Sequence, residues 1–165
     1  NLAGLALEAL RRAVAELRQM QTAEGETIHQ DLAARHNTLS QLVQQMRQNA
    51  DAVAQHWRTR LLERIRVLGV DLPENDERLL KEVAFYAERS DITEELVRLD
   101  SHLQQFAGLL PAAEPPGRAL EFLCQEMGRE INTICAKTGD TRVTTAALAF
   151  RAELGRVREQ VQNVE

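Results

Sequence analysis

From Asn1 to Asp71 the chain runs without a proline, and its only glycines there are Gly4, Gly25 and Gly69. Nothing in that stretch removes a backbone donor, so it predicts one very long helix, with an irregularity near Gly25 where helical propensity is weakest. Leu32, Leu39, Met46 and Val53 recur every seven residues, with Leu42 and Trp57 at intermediate positions. Such a seam buries a narrow stripe, as in a coiled coil, rather than a broad face. VLGVDLPEND closes the segment. Gly69 can take the left-handed backbone that ends a helix, and Pro73 stops the helix from resuming at once.

The remaining residues repeat the theme at shorter length. A helix starting near Glu74 carries Leu79, Leu80, Val83 and Tyr86 and ends around Ser90. SDITEE then places Asp91 and Glu94 at the spacing of a capping box. In the helix it starts, Ile92, Leu96, Leu99, Leu103, Phe106 and Leu110 alternate steps of four and three and share one stripe. LLPAAEPPG is the one proline-rich interruption and reads as a loop. A helix follows from Arg118 to about Lys137. After the glycine-bearing turn TGDT, a last helix carries Val143, Ala147, Phe150, Leu154, Val157, Val161 and Val164. No internal repeat accompanies these seams, whose spacing is shared while residue identities are not.

Stripes carry the fold because little else can build a core. The chain has 165 residues and is 44% hydrophobic, but only 4% is aromatic. These features predict an all-α protein, an elongated bundle of long helices with coiled-coil-like hairpin packing. Residues 1–72 form a long coiled-coil-like helix and 73–165 a C-terminal helical region, joined as one continuous helical unit. The net charge of −5 repels phosphate backbones, so any nucleic acid must meet a local basic patch. Cys124 and Cys135 on one helix lie roughly 16 Å apart, beyond disulfide reach. Two free thiols suit a reducing cytoplasm. NLAGLALEAL has no initiating methionine, and Arg11 and Arg12 cut its apolar run short of a membrane span. We expect a segment of a longer protein, with no membrane partner.

QEMGREINTICAKTGD, residues 125–140, concentrates the polar chemistry. At about 100° per residue, Leu120, Leu123, Met127, Ile131 and Ile134 fall in one apolar arc. Glu126, Glu130, Thr133 and Lys137 form a polar ridge away from it. The plain reading is a solvated, charge-paired face. Against it, Phe122 lies amid the charges, which suggests that this side is covered. Glu126 and Glu130 are also like charges one turn apart, a cost unless a cation or an arginine sits between them. The preceding helix offers a matching row of Glu95, Arg98, His102 and Gln105. If the two helices are adjacent, Glu95, His102, Glu126 and Glu130 can converge as ligands for a divalent ion. Separately, HWRTRLLERIR sets Arg60 and Arg64 on the face of Trp57, with Arg58 and Arg66 flanking. That arrangement suits backbone contact and base stacking, or else a solvated helix with Trp57 in the seam.

DITEELVRLDSHLQQF, GRALEFLCQEMGREINT and the terminal VREQVQNVE resemble the C-terminal signature of the YicC/YloC family of bacterial endoribonucleases. Met20, Glu24 and Gly25 extend the resemblance back along the first helix. It implies a metal-assisted endoribonuclease acting on single-stranded RNA, whose missing N-terminal half is rich in strands. It also implies a homo-oligomer, a hexamer, holding RNA in a cavity.

Carried over by position, the resemblance marks Glu94, Glu95, Arg98, His102, Gly117, Arg118, Gln125, Glu126, Arg129, Glu130, Asn132, Thr133, Lys137, Asp140, Arg158, Glu159, Gln160, Gln162, Asn163 and Glu165. On this basis Glu126, Glu130, Glu95 and His102 hold a divalent cation, Mg or Mn, and with Arg129 form the catalytic set. Arg98, Lys137 and Arg158 then contact RNA, together with Arg60 and Arg64 of the HWRTRLLERIR stretch. The chain departs from the family at Gly128 and Gly139, where Asn is usual, and at Ala136 where Ser is. Gly155 stands for Glu, Arg151 for Lys, and Gln21 for Arg. A non-catalytic oligomerisation or RNA-binding adaptor module is the alternative the heptads alone support.

Overall fold

Gly25 does not interrupt the first helix. In the computed structural model, which describes residues 2–70, 72–73, 75–111, 116–162 and 164, α1 runs unbroken over Leu2–Ala50. A glycine costs about 1 kcal/mol relative to alanine in a helix, too little to stop a run of good helix formers on both sides. The break falls instead at Asp51–Ala52, after which α2 spans Val53–Val67. Neither proline nor glycine marks it. Beyond it α2 packs chiefly on α3, Glu77–Arg89, rather than on the helices that α1 meets.

Then come α4, Thr93–Leu109, α5, Gly117–Lys137, and α6, Thr141–Val161. The fold is all-α, with no strand among the described residues. Gly69 takes positive φ at the end of α2, as expected of a helix-terminating glycine. Asp76 caps α3 by accepting from the Arg78 and Leu79 amides, so that helix begins later than the expected Glu74, which lies outside the described residues. The loop residues 112–115, and Asn163 and Glu165, also lie outside them. Only half of the Asp91 and Glu94 capping box forms. The Asp91 carboxylate accepts from the Thr93 amide, while Glu94 turns to Arg98.

The second half of α1 closes a four-helix ring, packing against α4 and α6, with α5 between those two on the far side. The predicted stripes supply the core. Leu32, Leu39, Met46 and Val53 are buried, as are Leu96, Leu99, Leu103 and Phe106 of α4 and Val143, Phe150, Leu154 and Val157 of α6. Val43 joins them, a position the seven-residue repeat passes over. Burial pushes the Cys124 thiol up to about 11, which leaves it unreactive.

Polar ties cross the core edges. Arg35 meets Asp31 and Glu153 at 2.8 and 2.7 Å, and Arg156 meets the other oxygen of Glu153 at 2.6 Å. Burial would raise the Glu153 carboxyl, but the bonds from Arg156 and Arg35 outweigh it and hold it below its ordinary value. Arg47 pairs with Asp100, and His36 Nε2 lies 3.1 Å from the Leu103 carbonyl, tying α1 to α4.

Before Ile28, every described side chain of α1 from Ala3 onward is exposed, including Leu7, Leu10, Val14 and Leu17. The first part of α1 therefore projects beyond the ring as a single arm. At the other end, the α2–α3 hairpin is held by Trp57 stacked on Tyr86, centroids 4.2 Å apart and 11° from parallel. A Cβ on Gly139 would lie 2.9 Å from the Tyr86 hydroxyl, so any side chain there would have to displace that ring. Arg142 reaches His56 of α2 at 2.9 Å while also binding Asp140.

Asp140 caps α6 through the Arg142 amide. The Arg142 guanidinium, more than any other group, holds its carboxyl at about 2, against an ordinary 3.8. A depressed carboxylate stabilises the fold fully above its ordinary value, and that contribution is lost as pH falls through the folded value. Urea midpoints followed from pH 5 to pH 2 should therefore fall less steeply for Asp140→Asn than for the wild type. Parallel curves would show that Asp140 is not so held.

Candidate active site

Glu95 is the most deeply buried carboxylate among the described residues, with a side chain only 3% exposed, and it starts the site. Isolated burial of a charge is costly, so cations must meet it. Lys137, at the last turn of α5, places Nζ 2.9 Å from Glu95 Oε1 and donates to the Asp91 carbonyl at 3.0 Å. Arg98, one turn along α4, approaches the same oxygen at 3.4 Å. Its Nε meets Glu130 at 2.9 Å and its Nη1 meets Glu94 at 3.3 Å. These pairs run antiparallel, with Glu95 beside Lys137 and Arg98 beside Glu130.

One guanidinium thus serves three carboxylates from two helices. Glu130 foremost, then Glu94 and Glu95, raise the Arg98 guanidinium above its ordinary value. Glu126 pairs separately with Arg129 at 2.6 Å. The expected cost of two glutamates one turn apart is relieved by arginines. Two polar atoms on this face of α4 are shielded from solvent and have no hydrogen-bond partner: Glu95 Oε2 and His102 Nδ1.

Of the residues predicted for the site, the fold joins Glu95, Arg98, Glu130 and Lys137 in one network, with Glu94 and the Asp91 carbonyl added. Glu126 and Arg129 form the next pair on the ridge. Arg158 lies elsewhere, 3.4 Å from Glu121, which is about 24 Å along α5 from Lys137 at 1.5 Å per residue. Arg60 and Arg64 are exposed on α2. Trp57, read as a base-stacking neighbour of theirs, is half-buried and occupied by Tyr86, the seam-like alternative. Phe122 is exposed, so the expectation that its face is covered fails within one copy of the chain.

Among the described residues no three Asp, Glu, His or Cys side chains gather as a metal's donors would. Glu95, Glu126 and Glu130 instead each spend an oxygen on Lys or Arg. As arranged in one chain, the set expected to hold a divalent ion does not fit one.

Residues 46–165 match the family profile described as endoribonuclease YicC-like, C-terminal. The chain is 38% identical over 159 residues to a probable endoribonuclease YicC of Clostridioides difficile, covering 96% of this chain and 54% of that protein. It is 32% identical over 146 residues to the protein of the same name from Haemophilus influenzae, covering 88% and 50%. The chain belongs to the YicC-like family. It spans about half the length of the curated relatives it matches. The YicC-like match opens at Met46, one turn before the helix break, and includes every residue of the ionic network. A Cβ on Gly128 would meet only Leu154, at ordinary contact distance, and Ala136 is exposed, so neither position is part of the packed core.

Lys137 was read from sequence as an RNA contact, and its bond to buried Glu95 adds a structural role. Lys137→Met should cost about 2 kcal/mol in urea unfolding by leaving a buried carboxylate short of its cation. Adding Glu95→Leu should recover most of that loss. An unchanged midpoint in the single variant would remove Lys137 from this role.

Proposed function

We propose that the protein carrying this chain is an endoribonuclease that cuts single-stranded RNA, and that the α4–α5 ridge is where the phosphodiester is engaged. The observation that carries the reading is Arg98, half-exposed and shared among three carboxylates, in a chain whose family is named for RNA cleavage. A guanidinium at a solvent edge can exchange a carboxylate for a phosphate with the same paired hydrogen bonds. Arg98 and Lys137 bind the phosphate, Arg129 shields the charge that builds on it, and Glu130 becomes free to accept a proton.

With the residues present, the 2′-hydroxyl is the nucleophile. His102 takes its proton, the 2′-oxygen bonds to phosphorus, and the bond to the 5′-oxygen breaks. That oxygen takes a proton from solvent water, which leaves a 2′,3′-cyclic phosphate and a 5′-hydroxyl. The metal assistance implied by the resemblance would need Arg98 and Arg129 to release Glu130 and Glu126. The ridge as it stands does not fit an ion. Arg60, Arg64 and Arg158 are outlying phosphate contacts, useful because α2 carries four arginines against one glutamate in a net-negative chain.

The protein works as a homo-oligomer in this proposal. The exposed Leu7, Leu10, Val14 and Leu17 stripe supports that part, because an isolated helix with one wet apolar face gains from a partner. A purely structural adaptor would use the same stripe and leave RNA intact. Among the described residues no helix is long and apolar enough to cross a membrane, and the two free cysteines suit a reducing compartment.

Labelled single-stranded RNA incubated with the full-length protein, with and without chelator, should be cut to cyclic-phosphate ends. Cutting by Glu126→Gln, Glu130→Gln and His102→Ala should fall at least about a hundredfold. Undiminished cutting by all three would move the site elsewhere. Plain 3′-hydroxyl or 3′-phosphate ends, abolished by chelator, would replace 2′-hydroxyl attack by metal-activated water.

A further inference from the structure

We propose that the outward face of α5 is a stacking track for the bases of single-stranded RNA, with Phe122 as its platform. This rests on the ribonuclease reading above and adds a second contact class to it. Arg118, Phe122, Gln125, Arg129, Asn132 and Ala136 follow one another at steps of four, three, four, three and four. At about 100° per residue they share an arc roughly 80° wide, opposite the buried arc of the helix. All six are exposed.

Phe122 is the anomaly on this face, 59% exposed in a chain with six aromatic residues. Phe106 and Phe150 are fully buried, Trp57 and Tyr86 stack on each other, and Phe85 lies under the Arg89 guanidinium at 5.7 Å. Only the Phe122 ring combines solvent exposure with a neighbourhood free of those contacts. It is also the one large apolar side chain of its stripe, whereas a protein partner's docking face is a contiguous apolar patch. A single ring set between cations and amides suits a nucleobase, whose π-face needs one flat apolar partner while the phosphates on either side need positive charge.

Charge agrees with this occupant. The stripe has two arginines and no carboxylate in a chain of net charge −5. The flanking glutamates are matched, Glu121 by Arg158 at 3.4 Å, Glu126 by Arg129 at 2.6 Å and Glu130 by Arg98 at 2.9 Å. Arg129 belongs to both features, lying on the stripe and pairing with Glu126 on the ridge. A strand stacked on Phe122 therefore runs directly beside the ionic network, with Gln125 and Asn132 able to reach base edges. Paired bases have their faces covered by their neighbours, so a duplex has nothing to offer the ring.

The test measures binding of fluorescein-labelled single-stranded oligoadenylate, a strand of equal length made of abasic nucleotides, and an RNA duplex. The full-length protein is compared with Phe122→Ala and Phe122→Trp, and cutting of the oligoadenylate is assayed in parallel. Phe122→Ala should weaken the oligoadenylate about tenfold and leave the abasic strand unchanged, and Phe122→Trp should restore affinity. Equal affinity of wild type and Phe122→Ala for the oligoadenylate, with cutting intact, overturns the track and spares the ribonuclease reading. A change of sedimentation in Phe122→Ala without a base-dependent loss assigns the face to a protein contact and also overturns the track. A wild-type protein that neither binds nor cuts RNA overturns both.

Discussion

A carboxylate almost wholly removed from water sets the terms for the α4–α5 pair. Burial of a lone carboxylate is costly, and Lys137 from α5 and Arg98 from α4 both bring a cation to Glu95 Oε1. Because Lys137 stands at the last turn of α5 and Glu95 in the first turn of α4, their contact fixes the antiparallel register of the two helices. That register brings Glu130 to Arg98 and leaves the outer stripe of α5 facing water. The proposed chemistry uses groups that the fold already requires for its own electrostatic balance.

Two ionic networks of similar composition occur in the molecule, and exposure separates their roles. Around Glu153, Arg35 has a side chain 24% exposed and ties α1 to α6, beside the buried seam. Around Glu130, Arg98 is 44% exposed and opens to solvent. The first network is placed to hold helices together. The second can trade a carboxylate for an incoming phosphate without opening the core, which makes it the better candidate for contact with a substrate.

Sequence patterning located most of the core because a helix buries residues by angle, and angle is set by spacing alone. Leu96, Leu99, Met127, Ile131 and Phe150 needed only steps of three and four to be placed inside. The break at Asp51–Ala52 was not legible, since no proline or glycine marks it, and the stack of Trp57 on Tyr86 that follows it joins residues some thirty positions apart. The site was half legible. Spacing put Glu95, Arg98, Glu126 and Glu130 on two facing rows, but which charge met which depended on helix register. That contact pattern turned an expected ligand set into an arginine-centred network. Phe122 was visible as an oddity, and only the packing of the helices showed that it stays exposed among the described residues.

In the proposed chemistry Arg98 acts on the phosphodiester and does more than join two helices. Exchanging the partners in a single double variant, Arg98→Glu with Glu130→Arg, keeps that one ion pair and moves the cation to α5. Thermal unfolding and RNA cutting would be measured on that variant beside the two single changes. The exchanged pair should regain part of the stability lost by Arg98→Glu alone, the Arg98 contacts to Glu94 and Glu95 staying lost, while cutting stays at least about a hundredfold below wild type. Recovery of cutting together with stability would contradict that chemistry and leave Arg98 as a purely structural bridge.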